Sequence, residues 1–188
     1  MKVDSLKVPY FINKVEEHSD FKQKFLNLFD EVGVGSVGNK YMSLVNTSYP
    51  QYIPYPNNKY DGNKDDEWVV MFLKLINKYR NEVLDYLNHG IVEQSTPWFH
   101  QYEEGDTLPW HSHGGYNYSM VYYLELPENR CKLQFLNVLD NSSEIKDIDV
   151  KEGDLVIFPS SIVHRSPKND LNRRKTIIAG NYTSTLNN

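Results

Sequence analysis

Between residues 97 and 182 the chain breaks into eight short runs, at 97–103, 108–113, 116–126, 132–138, 145–150, 154–159, 162–166 and 174–182. Each is rich in Val, Ile, Tyr or Phe. Turn residues separate them, among them Glu104-Gly105-Asp106, Pro127-Glu128-Asn129, Asp140-Asn141-Ser142-Ser143 and Lys168-Asn169-Asp170. Runs this short, so regularly interrupted, predict antiparallel strands folded into a sandwich or barrel. A jelly roll is the arrangement that suits eight of them.

The first half of the chain has a different period. Phe21, Phe25, Leu28 and Phe29 recur at helical spacing within residues 17–31, and Gly33 and Gly35 end that helix. A longer helix is expected over 65–88, with Trp68, Phe72, Leu75, Ile76, Tyr79, Val83 and Leu87 on one apolar face. Asp65, Asp66 and Glu67 favour the positive end of its dipole, and Gly90 suits the position just past its end. Residues 5–12 read as an extended entry segment, and 44–63 as a loop of Pro, Asn, Gly and Tyr. The expected fold is mainly β with supporting α: a double-stranded β-helix, or jelly roll, flanked by N-terminal helices. It is read as one domain over 1–188, with helical and loop support in 1–95 and the core in 96–188.

Composition excludes several function classes. Net charge is −5, and the one basic cluster, Arg173-Arg174-Lys175, is too short to track a phosphate backbone. Nucleic acid is therefore not an expected partner. No run of eighteen apolar residues exists, and MKVDSLKVPYF lacks the apolar core of a signal peptide. One cysteine, Cys131, allows no internal disulfide. A cytoplasmic protein is expected. No G-x-S-x-G or P-loop is present, which argues against serine-hydrolase and NTPase chemistry.

Chemistry concentrates in histidines. His111 and His113 stand two apart in LPWHSHGG, and His164 follows about fifty residues later in GDLVIFPSSIVHRSP. Residues i and i+2 of a strand share a face. The pair can converge, and an imidazole from a distant strand can complete three ligands on one face of a metal. The opposite face stays open.

These residues resemble the Fe(II)/2-oxoglutarate-dependent oxygenases, in particular the prolyl-hydroxylase-like group, over 98–182. The family pattern is HxD/E on one strand, a distal His on another, and a basic residue about ten positions on. Here it reads His111-Ser112-His113, His164 and Arg174. The resemblance implies Fe(II) held by His111, His113 and His164. It also implies 2-oxoglutarate held at its far carboxylate by Arg174, with Tyr102 and Thr176 assisting, and O₂ as co-reactant. Asn117, a polar residue in a strand, and Tyr122, on the strand after HxH, are further candidates for cosubstrate contact. The activity implied is hydroxylation of a small-molecule or peptidyl substrate, with release of succinate and CO₂.

His113 departs from the family, which carries a carboxylate there. Asp106 is a carboxylate in the neighbourhood, but it precedes the strand. The chain also resembles cupins, which share the jelly roll and accept three His ligands. Gly105 and His111-x-His113 match the start of one cupin motif, and Gly153, Pro159 and His164 match much of the other. Asn117 and Tyr118 stand where the first motif has Glu. A metal-dependent cupin enzyme without 2-oxoglutarate is thus one alternative. A non-catalytic jelly-roll binding module is another.

Overall fold

The computed structural model describes residues 8–32, 35–39, 42–47, 66–137 and 144–187, with side chains outside 32–65. The elements run β1 (Phe11–Lys14), α1 (His18–Val32), β2 (Gly35–Asn39), β3 (Met42–Thr47), α2 (Glu67–Leu87), β4 (His89–Gln94), β5 (Trp98–Tyr102), β6 (Leu108–His111) and β7 (Tyr118–Glu125). They continue with β8 (Gln134–Asn137), β9 (Glu144–Asp147), β10 (Asp154–Pro159), β11 (Val163–Ser166) and β12 (Lys175–Leu186). All eight expected strands of the second half are present, most of them shortened; β10 keeps its expected bounds and β12 runs on to Leu186.

The strands form two antiparallel sheets. The large sheet has the order β1-β10-β7-β12-β5-β3-β2, with β4 also paired to β12; the small sheet has the order β6-β11-β8-β9. This is a jelly roll, as expected, with two helices. One apolar cluster lies between the sheets and includes Tyr102, Tyr123, Phe135, Phe158 and Ile177. The second lies between the large sheet and the helices and includes Phe25, Phe29, Trp68, Phe72, Phe99, Tyr122 and Ile178. Phe29 of α1 stacks on Phe99 of β5 at 3.8 Å between ring centres, and Trp68 of α2 meets the same ring edge-on at 5.7 Å. The aromatic stripes of both helices are therefore spent on the back of the large sheet.

Three expectations need correction. First, β2, β3 and β4 come from the stretch read as helix and loop support, while β1 overlaps the expected extended segment; residues 44–47 of the expected loop are the end of β3. Residues 48–63 of that loop, Gly33 and the turn Asp140–Ser143 lie outside the described residues. Second, β4 was missed because Gly90, Val92 and Glu93 make its sequence, HGIVEQ, look like a turn and an irregular run. Third, α2 ends not through Gly90 but through Asn88, which takes the left-handed conformation (φ 54°) and donates its backbone N–H to Asp85 O. Asn tolerates that region better than other residues with a Cβ.

Candidate metal centre

β6 and β11 are antiparallel neighbours, and His111 pairs directly with His164. The pairing puts the two rings 4.2 Å apart, centre to centre. β6 ends at His111, so His113 lies just past the strand. Its backbone N–H is fixed to Ser160 O at 3.0 Å, and its ring stands 5.1 Å from His111 and 5.2 Å from His164. One nitrogen from each ring lies within 4.8 Å of the others. The three expected histidines are thus brought together, though the turn after β6, and not the strand itself, delivers His113.

Hydrogen bonds fix which nitrogens can act. His111 Nδ1–H donates to Pro109 O and His164 Nδ1–H to Ile162 O, each at 2.8 Å. Both rings therefore keep the Nε2 lone pair, as metal-ligating histidines require. Burial holds all three imidazoles below their usual range, His113 at about 4 and His164 at about 3, so they are neutral and ready to ligate near pH 7.

His113 is oriented differently. Its Nδ1 lies 3.2 Å from the carboxamide Nδ2 of Asn181, whose Oδ1 accepts from Ser119 Oγ at 2.7 Å. Ser119 Oγ is also 2.9 Å from Ser160 Oγ. Turning the carboxamide over reverses the whole chain: Nδ1–H then donates to Asn181, Asn181 to Ser119, and Ser119 to Ser160. That second sense leaves His113 Nε2 free for a metal. Three neutral nitrogens on one side, each backed by a hydrogen bond, fit a divalent transition metal with open positions.

The trio opens into a cavity of about 280 Å³ between the sheets. Among the described residues its lining has no Asp or Glu; its cations are Lys175 and Arg165, and Arg165 donates from Nε to Gln134 Oε1 at 2.7 Å. Lys175 is 2% exposed. Its ammonium donates to Cys131 O at 2.6 Å and Ser166 Oγ at 2.7 Å, which leaves one proton unassigned. It also lies 4.7 Å from the centre of the Tyr102 ring. Burial pulls it down to about 7. The Tyr102 hydroxyl is buried without a normally formed hydrogen bond, and burial pushes it above the usual phenol range. The Lys175 ammonium and the Tyr102 phenol thus stand together on the cavity wall, with Ser166 beside both.

Arg174 is not part of that wall. It immediately precedes Lys175, the first residue of β12, and its side chain takes the other face. There Nε donates to Glu125 Oε2 at 2.9 Å, and Thr176 Oγ1 bonds to the same carboxylate. Arg174 lines a shallow surface depression with Lys22, Glu103, Glu125 and Glu152. Tyr122 is likewise turned to the helix side, where its hydroxyl meets His18 Nδ1 at 2.7 Å. Asn117 is spent on the backbone, its Oδ1 accepting from Ser184 N at 2.9 Å. Asp106 Oδ2 accepts from Glu103 N at 2.8 Å and takes no part in the trio. Of the expected cosubstrate residues, the structure brings only Tyr102 into the cavity.

Two cavity residues escaped the sequence reading. Lys175 was missed because β12 is buried on both faces through its first eight residues. Alternation of apolar and polar residues, the usual guide to which face looks inward, is therefore absent there. His100 was missed because it lacks ligand spacing. Its signal was parity: it shares a face of β5 with Tyr102.

The sequence matches no family model and no curated relative. Its fold does have known counterparts. A prolyl-4-hydroxylase from Pseudomonas putida superposes with a TM-score of 0.66 at 15% identity, covering 94% of this chain and 93% of that one. The collagen prolyl hydroxylase of Paramecium Bursaria Chlorella virus-1, solved as its 2OG complex, gives 0.62 at 13% identity, covering 94% and 96%. SnoN, a non-heme alpha ketoglutarate dependent epimerase from nogalamycin biosynthesis, gives 0.68 at 10% identity, covering 94% and 76%. The chain therefore has the jelly-roll fold of the 2-oxoglutarate/Fe(II) oxygenases, with three histidines gathered in the cavity between its sheets.

Proposed function

We propose that this protein is a non-haem Fe(II)/2-oxoglutarate-dependent oxygenase that hydroxylates a small-molecule or peptidyl substrate. The observation that carries this is the pairing of two features in one acid-free cavity: a trio of neutral imidazoles, and a buried ammonium with a phenol beside it. A metal fits the first and a carboxylate the second. A five-carbon 2-oxo diacid offers a chelating head for one and a carboxylate for the other. The fold supports the same reading, since counterparts were solved with 2OG, or with Fe3+ and alpha ketoglutarate. A peptidyl substrate gains support from a further counterpart, a Trichoplax adhaerens prolyl hydroxylase solved with a peptide fragment of hypoxia inducible factor.

His111, His113 and His164 would hold the iron, and the carboxylate clamp is assigned to Lys175 with Tyr102 in place of Arg174. When bound, the iron supplies the redox chemistry. The balance is one C–H bond, one O₂ and one 2-oxoglutarate consumed, with one C–OH, one succinate and one CO₂ formed. The chain's own residues orient and exclude. The Lys175 ammonium neutralises the far carboxylate in a site where water cannot, which makes the contact strong. Phe158, Leu133 and Ile177 keep the surrounding wall apolar. Because all three ligands are neutral, they would leave the metal's charge undiminished, and the dianion would offset most of the combined positive charge of metal and Lys175.

The test is succinate release from 2-oxoglutarate by Fe(II)-loaded protein. Turnover is expected in the wild type and in Arg174→Ala. In Lys175→Met the requirement for 2-oxoglutarate should rise about 100-fold or more, as when one member of a buried charge pair is removed. A protein that binds Fe(II) and leaves 2-oxoglutarate intact would favour a cupin enzyme. One that binds no metal would favour a binding module.

A further inference from the structure

One donor in the cavity is still unused. His100 is 4% exposed and lines the cavity from β5. Its Nε2 lies 2.9 Å from Trp98 Nε1. An indole nitrogen can only donate, so His100 Nε2 must be the acceptor. Burial, with His111, Lys175 and His113 nearby, lowers the His100 pKa to about 3 and keeps the ring neutral. The single proton of a neutral ring whose Nε2 accepts is on Nδ1. That N–H is buried and has no partner among the described residues. Native structures rarely leave such a group unpaired, because its lost hydration is not recovered.

Strand register places the donor. Tyr102 pairs with Lys175 across β5 and β12, and His100 pairs with Ile177 two positions closer to the histidine trio. The His100 and Tyr102 rings are 5.8 Å apart, centre to centre. His100 therefore stands beside the clamp, on the side that faces the metal centre. Among the described lining residues no carboxylate is present to accept its proton. The carboxylate of a ligand in the cavity would supply the acceptor.

We infer that His100 Nδ1–H donates to the distal carboxylate of the bound 2-oxo diacid, as a third donor beside Lys175 and Tyr102. Trp98 is a positioning residue, because its indole N–H forces the proton onto Nδ1. The inference rests on the reading of this cavity as a 2-oxoglutarate site. Its consequence is specificity: three donors on one carboxylate favour a diacid over a 2-oxo monoacid that has the same metal-binding head.

The experiment is calorimetric titration of Mn(II)-loaded protein with 2-oxoglutarate and, separately, with pyruvate, which lacks the distal carboxylate. The variants are His100→Leu, which removes the donor, and His100→Asn, whose Nδ2–H takes the place of the ring Nδ1–H. Lys175→Met serves as the reference for loss of the clamp. His100→Leu should weaken 2-oxoglutarate about 10- to 100-fold, the range for a hydrogen bond to a charged group. His100→Asn should recover most of that loss, and pyruvate affinity should be the same in all forms. The inference is overturned if His100→Leu leaves 2-oxoglutarate affinity unchanged while Lys175→Met abolishes it. It is equally overturned if His100→Leu weakens pyruvate as much as 2-oxoglutarate. If wild type binds both acids alike and Lys175→Met has no effect, the cavity reading fails first and takes this inference with it.

Discussion

Asn181 decides what His113 can do. It is 2% exposed, and its carboxamide links the ring to a pair of buried serines. His111 and His164 take their orientation from backbone carbonyls two residues earlier, which no substitution removes. His113 depends on a side chain, so it is the ligand open to genetic test. Asn181→Leu should lower metal affinity about 10- to 100-fold, the usual effect of losing a partner behind a metal-bound histidine. Competition titration with a chromophoric chelator reads it. Asn181→Asp, which keeps an acceptor for Nδ1–H, should stay near wild type.

At the scale of elements, the helices hold the large sheet by its back. Phe99 is where they meet it: fully buried on β5, stacked on Phe29 and edge-on to Trp68. Phe99→Ala should cost about 3–5 kcal/mol of unfolding free energy, the usual range for truncating a buried aromatic. Urea denaturation measures it. Phe99 faces away from the cavity, so the properly folded fraction should bind metal as wild type does. β12 has the opposite character, since both its faces are committed. Ile178 supports the helix-side cluster, while Ile177, Ala179 and Lys175 wall the cavity. A one-residue slip of this strand would carry Lys175 out and Arg174 in.

For the whole molecule, the cavity imposes a pH dependence. His100 and His164 are lowered to about 3 and His113 to about 4, because burial disfavours the imidazolium. The unfolded chain takes up these protons near pH 6.5, and the folded chain resists them to a lower pH. The unfolded state therefore binds more protons between about 6.5 and 3. The histidines' contribution to stability is full above pH 6.5 and falls steadily as the pH drops through that window. Lys175, lowered to about 7, adds the same sign at higher pH: the metal-free protein should gain stability from about 7 towards 10. Thermal unfolding of metal-free protein across this range should show both slopes, and Lys175→Met should abolish the upper one.

The sequence by itself determined a jelly roll with two bracing helices, because turn residues and period fix where short strands and amphipathic helices lie. It also determined the histidine trio, since a two-residue spacing and a distant partner strand suffice to name it. It did not determine the clamp. Burial on both faces erases alternation in β12, so the motif pointed to Arg174, and only the register against β5 and β7 shows Lys175 on the inward face. Nor did it single out His100, whose significance comes from a neighbouring indole and an empty acceptor position. Local chemistry is written along the chain, but which face of a doubly buried strand looks inward is decided only when the sheets pair and close.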